Sequence, residues 1–184
     1  MQEPHRNWVT LVLGGVRSGK SRFALEIASS AQSVTFIATA RASDEEMRRK
    51  IERHQSERPS HWRTREEPIH LTEAISSKQD ASETTVVDCL TLFAANLMEA
   101  YGEDRAAIDT SIENLCSALR KTDRKIVLVS NEVGSGIVPE YAAGRQFRDL
   151  LGEMNQRVAA VADNVVLMIA GLPLPIKGNI EGRP

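Results

Sequence analysis

An α/β fold with a mostly parallel sheet and helices on both faces is predicted by three observations. Short, nearly continuous apolar runs recur at residues 9–13, 34–38, 84–88, 125–130 and 164–170. Stretches with helical spacing of apolar residues separate them. The first run also opens directly into a glycine-rich turn. Strands that are apolar throughout are buried on both faces, and alternation with amphipathic helices is the pattern of a parallel sheet covered on both sides.

Each element has its own reason. Val9 to Leu13 is the first strand. Ser18 or Gly19 opens a helix that carries Phe23, Ala24, Ile27 and Ala28 on one face. Residues 34–38, VTFIA, form a second strand. Ser43, Asp44, Glu45 and Glu46 read as a helix start, with acids where the helix dipole favours them. That helix stops before Pro59. Its apolar face is thin, Met47 and Ile51 followed by His54, so it faces solvent, a ligand or a partner. Residues 61–64 suggest a short strand, and residues 69–75 a short helix. The run 84–88 is a strong strand ending on Asp88. A helix over 90–101 points Leu90, Phe93, Leu97 and Met98 inward and stops at Gly102. A longer helix from about Asp104 to Lys121 carries Ile108, Ile112, Leu115 and Leu119. After strand 125–130 comes the loop NEVGSGIVP, then a helix over 140–162 with Phe147, Leu150, Leu151, Met154, Val158 and Val161 as its stripe. The strand 164–170 is last, with Gly171 ending it.

The 184 residues suit one domain spanning 1–184, with 1–7 and 178–184 as loose tails. A net charge of −2 gives no field that favours nucleic acid or an anionic membrane. With 4% aromatics there is no base-stacking platform. No run reaches the roughly 18 apolar residues of a membrane span. Cys89 and Cys116 fall in apolar stretches without a C-x-x-C pair, as expected for buried, reduced thiols in a cytoplasmic protein. The four histidines lack metal-site spacing.

Ligands in such sheets bind beyond the C-terminal ends of the strands. The turn after the first strand reads Gly14-Gly15-Val16-Arg17-Ser18-Gly19-Lys20-Ser21, which is G-x-x-x-x-G-K-[ST] between strand and helix. Its glycines let successive N–H groups converge on phosphate oxygens, and the helix N-terminus adds partial positive charge. Lys20 would reach the β and γ phosphates and Ser21 would ligate Mg²⁺. The fold type is therefore that of a P-loop NTPase. Asp88, at a buried strand end, would hold Mg²⁺ through water; the plainer alternative is a cap on the following helix. Thr39 and Arg41, after the second strand, could meet a ligand or form an ordinary loop. Glu132 could serve as base or as an outer metal ligand, or simply be satisfied by loop N–H groups. His54 sits among Arg48, Arg49, Lys50, Arg53, Arg58 and Arg63. This is either a solvated basic helix or a nucleophilic imidazole flanked by cations that neutralise charge on phosphorus and keep the ring unprotonated.

The chain resembles the bifunctional adenosylcobinamide kinase / adenosylcobinamide-phosphate guanylyltransferase family of cobalamin (vitamin B12) biosynthesis. The residues that carry the resemblance are GGVRSGKS at 14–21, FIATA at 36–40, DEEM followed by RHQSERPSHWRTRE within 44–66, VVDCLTLFAANL at 86–97, LVSNEVGSGIVPE at 128–140, FRDLLGEMNQRVAAVAD at 147–163 and GLPLPIK at 171–177. The resemblance implies phosphorylation of adenosylcobinamide by ATP or GTP. It then implies GMP transfer from GTP to that phosphate through a histidine–GMP intermediate, giving adenosyl-GDP-cobinamide. It also implies Mg²⁺, a trimer, and nucleotide contacts at residues 14–21, at Thr39, Ala40, Arg41 and Ala42, at Glu57, Arg58, Pro59 and Ser60, and at Glu66 and Asp88. Some members carry two adjacent histidines, of which the first reacts. Here Arg53 holds the first position and His54 the second. Either His54 is the nucleophile, which is the favoured reading, or guanylyl transfer is weak or direct. Two other readings stay open: a P-loop small-molecule kinase, and a non-catalytic NTP-binding module.

Overall fold

Strand β1 (Val9–Gly14) is the centre from which the molecule is built, with β5 and β6 running parallel on either side of it. The computed structural model describes residues 8–42, 45–56, 58–77 and 82–179. The expected tail 1–7 and most of the expected tail 178–184 lie outside these, as do Ser43, Asp44 and Glu57.

In chain order the elements are β1, α1 (Lys20–Ala28), β2 (Val34–Ala38), α2 (Glu45–Ser56), β3 (Arg63–Glu66), α3 (Leu71–Ser76), β4 (Thr84–Asp88), α4 (Leu90–Tyr101), α5 (Arg105–Lys121), β5 (Lys125–Val129), α6 (Ala142–Val161), β6 (Asn164–Ile169) and β7 (Leu172–Lys177). The sheet order is β3-β2-β4-β5-β1-β6-β7, parallel except for the antiparallel β6–β7 pair. The mostly parallel sheet expected from the apolar runs is the one observed.

Strand alternation assigns the core. Leu11, Ile37, Val87, Leu128 and Val165 face one side, where α3, α4, α5 and α6 supply Leu71, Phe93, Leu97, Ile112, Leu115, Leu151, Met154 and Val158. Val12, Phe36, Val86, Val127 and Val166 face the other, beneath Phe23, Ala24 and Ala28 of α1 and beside Trp62. The helix ends follow their signals. Asp104 caps α5 by accepting from the Ala107 N–H at 3.1 Å. Gly102, at φ 56°, ends α4 with its N–H on the Met98 carbonyl. Among the described residues, no helix is long and apolar enough to cross a membrane.

Two expectations need correction. The strand anticipated at 61–64 is β3, and it starts at Arg63. The Trp62 N–H closes a turn onto the Pro59 carbonyl at 3.0 Å, which places the indole in the core instead of in a ladder. At the other end, Gly171 does not end the sheet. Ala170 and Gly171, at φ 50° and 83°, make the two-residue hairpin turn that positive φ at both positions favours. The LPLPIK segment then pairs as β7. Its two prolines hid it, because proline is excluded from strands other than edge strands.

Candidate functional site

The loop 14–21 joins β1 to α1 with the strain the motif implies. A Cβ on Gly14 would lie 2.6 Å from both the Met168 carbonyl oxygen and Ser18 Oγ. A Cβ on Gly19, whose φ is 98°, would lie 3.2 Å from Gly171 Cα. Gly19 is the N-cap of α1 and makes no side-chain cap, so no side chain competes for the first-turn N–H groups. Ser18 Oγ is buried and has no hydrogen-bond partner among the described residues. Its carbonyl accepts from the Gly171 N–H at 3.0 Å, which fastens the β6–β7 turn to the loop. Gly15, Val16 and Arg17 form the exposed crest and Ser21 is half-buried.

Lys20 is only 8% exposed, and its Nζ donates to the Gly15 carbonyl at 2.5 Å. Burial pushes its ammonium below the ordinary lysine value, and the neighbouring Cys89 and Asp88 oppose that shift. Asp88 thus lies within electrostatic reach of Lys20. It is not the cap of α4, whose N-cap is Cys89. The Cys89 thiol, between strand and helix and not inside an apolar element, is pushed up to about 12 by burial and by Asp88. A raised value disfavours the thiolate, the nucleophilic form.

Thr39 is fully buried. Its hydroxyl donates to the Cys89 carbonyl at 2.7 Å and accepts from the Cys89 N–H at 2.9 Å. It braces the ends of β2 and β4. Arg41 is exposed and paired with Glu99 at 3.3 Å. Ala40 and Ala42 flank it at the surface. The Glu132 N–H bonds the Gly14 carbonyl at 3.0 Å, bringing its loop against the phosphate loop. Its carboxylate is exposed and accepts from the Gly134 N–H at 2.6 Å.

Sheet order separates the remaining candidates. β2 is three places from β1 and β3 is four, so at about 4.8 Å per strand Thr39 and Glu66 stand roughly 14 and 19 Å from the β1 end. Glu66 stands at the far end of this strand edge and Lys20, Ser21 and Glu132 at the near end, while Thr39 touches the end of β4 between them, its N–H bonding the Asp88 carbonyl at 3.2 Å. At that far end the Arg58 guanidinium lies 3.5 Å from the centroid of the Phe36 ring. Pro59 is half-buried, and Ser60 and Glu66 are exposed. His54 belongs to α2, whose described side chains are exposed apart from Ile51. The His54 side chain and all of Glu57 lie outside the described residues.

Three residues that sequence reasoning missed hold this edge together. Asn96 donates to the Thr39 and Pro68 carbonyls at 2.8 and 3.0 Å. Thr91 Oγ1 accepts from the Asn131 N–H at 2.8 Å. Asn155 donates to the Asn131 carbonyl at 3.0 Å and accepts from Ser130 Oγ at 2.7 Å. Each asparagine interrupts an apolar helical stripe, and that interruption is the signal in the sequence. Buried amides persist where backbone groups need partners.

Several known proteins are similar to this chain. The family described as cobinamide kinase / cobinamide phosphate guanyltransferase (CobU) matches residues 10–176. The bifunctional adenosylcobalamin biosynthesis protein CobU of Escherichia coli is 41% identical over 178 residues, covering 91% of this chain and 98% of that protein. CobP of Pseudomonas aeruginosa, described by the same function, is 43% identical over 170 residues, covering 92% and 97%. Two solved structures share the fold alone. An ATPase from a type III secretion system of pathogenic bacteria has a TM-score of 0.56 at 13% identity, with the match covering 91% of this chain and 56% of that one. A Pyrococcus horikoshii protein, PH0250, has a TM-score of 0.55 at 8% identity, covering 95% and 88%. A glycine loop with a buried lysine in the field of a strand-end aspartate is thus embedded in a match that runs almost from end to end, and the chain belongs to the cobinamide kinase / cobinamide phosphate guanyltransferase family.

Proposed function

We propose that this chain phosphorylates adenosylcobinamide with ATP or GTP. It then transfers GMP from GTP to adenosylcobinamide phosphate, giving adenosyl-GDP-cobinamide and pyrophosphate in adenosylcobalamin biosynthesis. The observation that carries the reading is Lys20, buried against the Gly15 carbonyl and under the charge of Asp88, within a family match over residues 10–176.

In the first reaction the substrate hydroxyl oxygen attacks the γ-phosphorus, the bond to the nucleoside diphosphate breaks, and a base takes the proton. The loop N–H groups and Lys20 hold the phosphates. Glu132 is the candidate base, since its own N–H ties its loop to Gly14. In the second reaction an imidazole nitrogen of His54 attacks the α-phosphorus of GTP and pyrophosphate leaves. A phosphate oxygen of the cobinamide phosphate then attacks that phosphorus, and the nitrogen–phosphorus bond breaks. The exposed arginines of α2, Arg48, Arg49 and Arg53, with Arg41, supply positive charge for the phosphates of the second reaction.

Ser21 and Asp88 would hold Mg²⁺, which when bound neutralises phosphate charge. Their donor set fits, because Mg²⁺ takes one or two protein oxygens and completes its shell with phosphates and water. Among the described residues there is no cluster of three or more His, Cys, Asp or Glu suited to a metal. We also read the protein as a cytoplasmic homotrimer. The free thiols Cys89 and Cys116 support the compartment, and an exposed apolar face on β7 supports self-association.

The test is a mass spectrum after incubation with GTP and Mg²⁺. A GMP adduct is expected on the native chain and not on His54→Ala, while His54→Ala keeps cobinamide phosphorylation. Phosphorylation with no adduct on the native chain would leave a small-molecule kinase. An adduct that survives His54→Ala would move the nucleophile elsewhere.

A further inference from the structure

At the sheet edge where the candidate site lies, β5 is tied differently to its two neighbours. On the β1 side the backbone bonds run on past the strand. The Ser130 N–H donates to the Val12 carbonyl at 2.9 Å, and the Glu132 N–H to the Gly14 carbonyl at 3.0 Å. On the β4 side the register stops at the Asp88–Val129 pair. Beyond it β4 leads into α4 and β5 into the loop before α6, so the two backbones part. The Asn131 N–H points to this side, as strand alternation requires, and it meets a side chain instead of a carbonyl. Thr91 Oγ1 accepts it at 2.8 Å.

Thr91 is 8% exposed and lies in the first turn of α4. Its hydroxyl also hydrogen-bonds with the Cys89 sulfur. One side chain thus joins the strand end that carries Asp88 to the segment that carries Glu132. The Asn131 carbonyl is held in turn by Asn155 of α6 at 3.0 Å. Both polar groups of the Asn131 main chain therefore end on buried side chains, and Glu132 departs from a fixed point. The Glu132 carboxylate is exposed and accepts from the Gly134 N–H at 2.6 Å, so its direction follows the backbone of its own loop.

We propose that Thr91 is a positioning residue for phosphoryl transfer, holding the Asn131–Glu132 backbone so that the Glu132 carboxylate meets the acceptor hydroxyl over the phosphate loop. The proposal rests on the reading of Glu132 as the base of the first reaction. Without the Thr91 hydroxyl the Asn131 N–H loses its acceptor in a buried setting, and the segment turns to find another. A displacement of about 1 Å at a reacting group costs on the order of a hundredfold in rate. The loss falls on kcat, because a base acts on the hydroxyl only as the transition state forms. Triphosphate binding to residues 14–21 does not need that carboxylate. Nor does attack of an imidazole on the α-phosphorus.

The experiment compares steady-state phosphorylation of adenosylcobinamide by the native chain, Thr91→Val, Thr91→Ser, Glu132→Gln and the double variant Thr91→Val with Glu132→Gln. Valine keeps the shape of threonine without the acceptor, and serine keeps the acceptor. Thr91→Val is expected to lower kcat roughly ten- to a hundredfold. The KM for the triphosphate, calorimetric binding of inorganic tripolyphosphate and the yield of GMP adduct should stay at native values. Thr91→Ser should recover most of kcat. In the Glu132→Gln background Thr91→Val should have no further effect, because the group it positions is gone. Should Thr91→Val fail to fold by circular dichroism, Thr91→Ala takes its place in every comparison. A native kcat without the Thr91 hydroxyl, or the same fractional loss with and without the Glu132 carboxylate, would overturn the proposal. A loss spread equally over kcat, tripolyphosphate binding and adduct yield would overturn it too, by making Thr91 a support of the whole edge. A native kcat in Glu132→Gln would instead remove the base on which the proposal stands.

Discussion

Lys20 shows how much one residue's surroundings decide. An ammonium at 8% exposure is costly without partners, and here it has one carbonyl and the field of Asp88. A bound triphosphate would supply the missing negative charge. Lys20→Ala is therefore expected to abolish phosphoryl transfer in a cobinamide-dependent assay. The pH dependence follows in sign. Burial lowers the free-state pKa, a bound polyphosphate raises it, and only the charged form binds well. Triphosphate affinity should therefore fall as pH rises through the depressed value, and calorimetry in buffers of different ionisation enthalpy should detect proton uptake there. An affinity flat across that range would mean that Lys20 does not face the phosphates. Asn155 makes a second case. Asn155→Ala would strand the Ser130 hydroxyl and the Asn131 carbonyl, costing about 1–3 kcal/mol in urea unfolding. It should also lower kcat for phosphoryl transfer through the Glu132 loop. Asn155→Asp, which keeps the acceptor for Ser130, should recover part of the stability but not the Asn131 contact.

Among the elements, what the sequence made legible followed directly from local chemistry. The loop 14–21 has a spelling dictated by backbone geometry, and β1, β2, β4, β5 and β6 are apolar because both faces are covered. The elements misjudged, β3 and β7, are edge strands, where one-sided burial and prolines erase the pattern. The site was legible as residue types but not as an arrangement. Thr39 reads as a ligand contact or a loop residue, with no local sign of its cross-strand bonds to Cys89, and nothing local in residues 39 and 66 tells that they stand three and four strands from β1. Asn96 and Asn155 act across 57 and 24 residues of chain, beyond the reach of any periodicity. The clasp between α5 and α6 is equally non-local. Arg157 donates to Asp109 Oδ1 at 3.1 Å and to Glu113 Oε2 at 3.0 Å, and Arg105 pairs with both Asp109 and Glu153. Hydrogen bonds from Arg157 and Arg120 lower the Glu113 carboxyl below its usual range. A depressed carboxylate stabilises the fold above its unfolded pKa, and the effect is lost as pH falls through the folded value. Arg157→Ala should therefore lower stability slightly at neutral pH. The difference from the native chain should shrink in high salt and on acidification, read from urea midpoints. A loss independent of salt and pH would assign Arg157 a packing role instead.

At the scale of the whole molecule, the sheet ends unequally. β3 closes one side with charged side chains, Arg63, Arg65 and Glu66, while β7 closes the other with apolar ones. Leu172 is 71% exposed, and Leu174, Ile176 and Ile169 are also exposed. Leu172 and Leu174 register with Ile169 and Leu167, so they share the sheet face on the α6 side, the face that Val165 contributes to the core. The prolines alternate with them. In a two-residue hairpin the residues flanking the turn, here Ile169 and Leu172, exchange hydrogen bonds. Pro173 and Pro175 then occupy the positions whose N–H would point away from β6, so the outer edge lacks donors where another strand would pair. Self-association at this margin is therefore expected through the apolar face and not by extending the sheet. Leu172→Lys with Leu174→Lys should shift the protein to monomer in sedimentation velocity while leaving tripolyphosphate binding at residues 14–21 intact. Pro173→Val with Pro175→Val should leave the stoichiometry unchanged in dilute solution but promote concentration-dependent aggregation with a rise in β-structure, because the edge donors are restored. If the lysine pair leaves the assembly untouched, the association surface is not β7, and the exposed Ile137, Val138 and Tyr141 before α6 become the next surface to substitute.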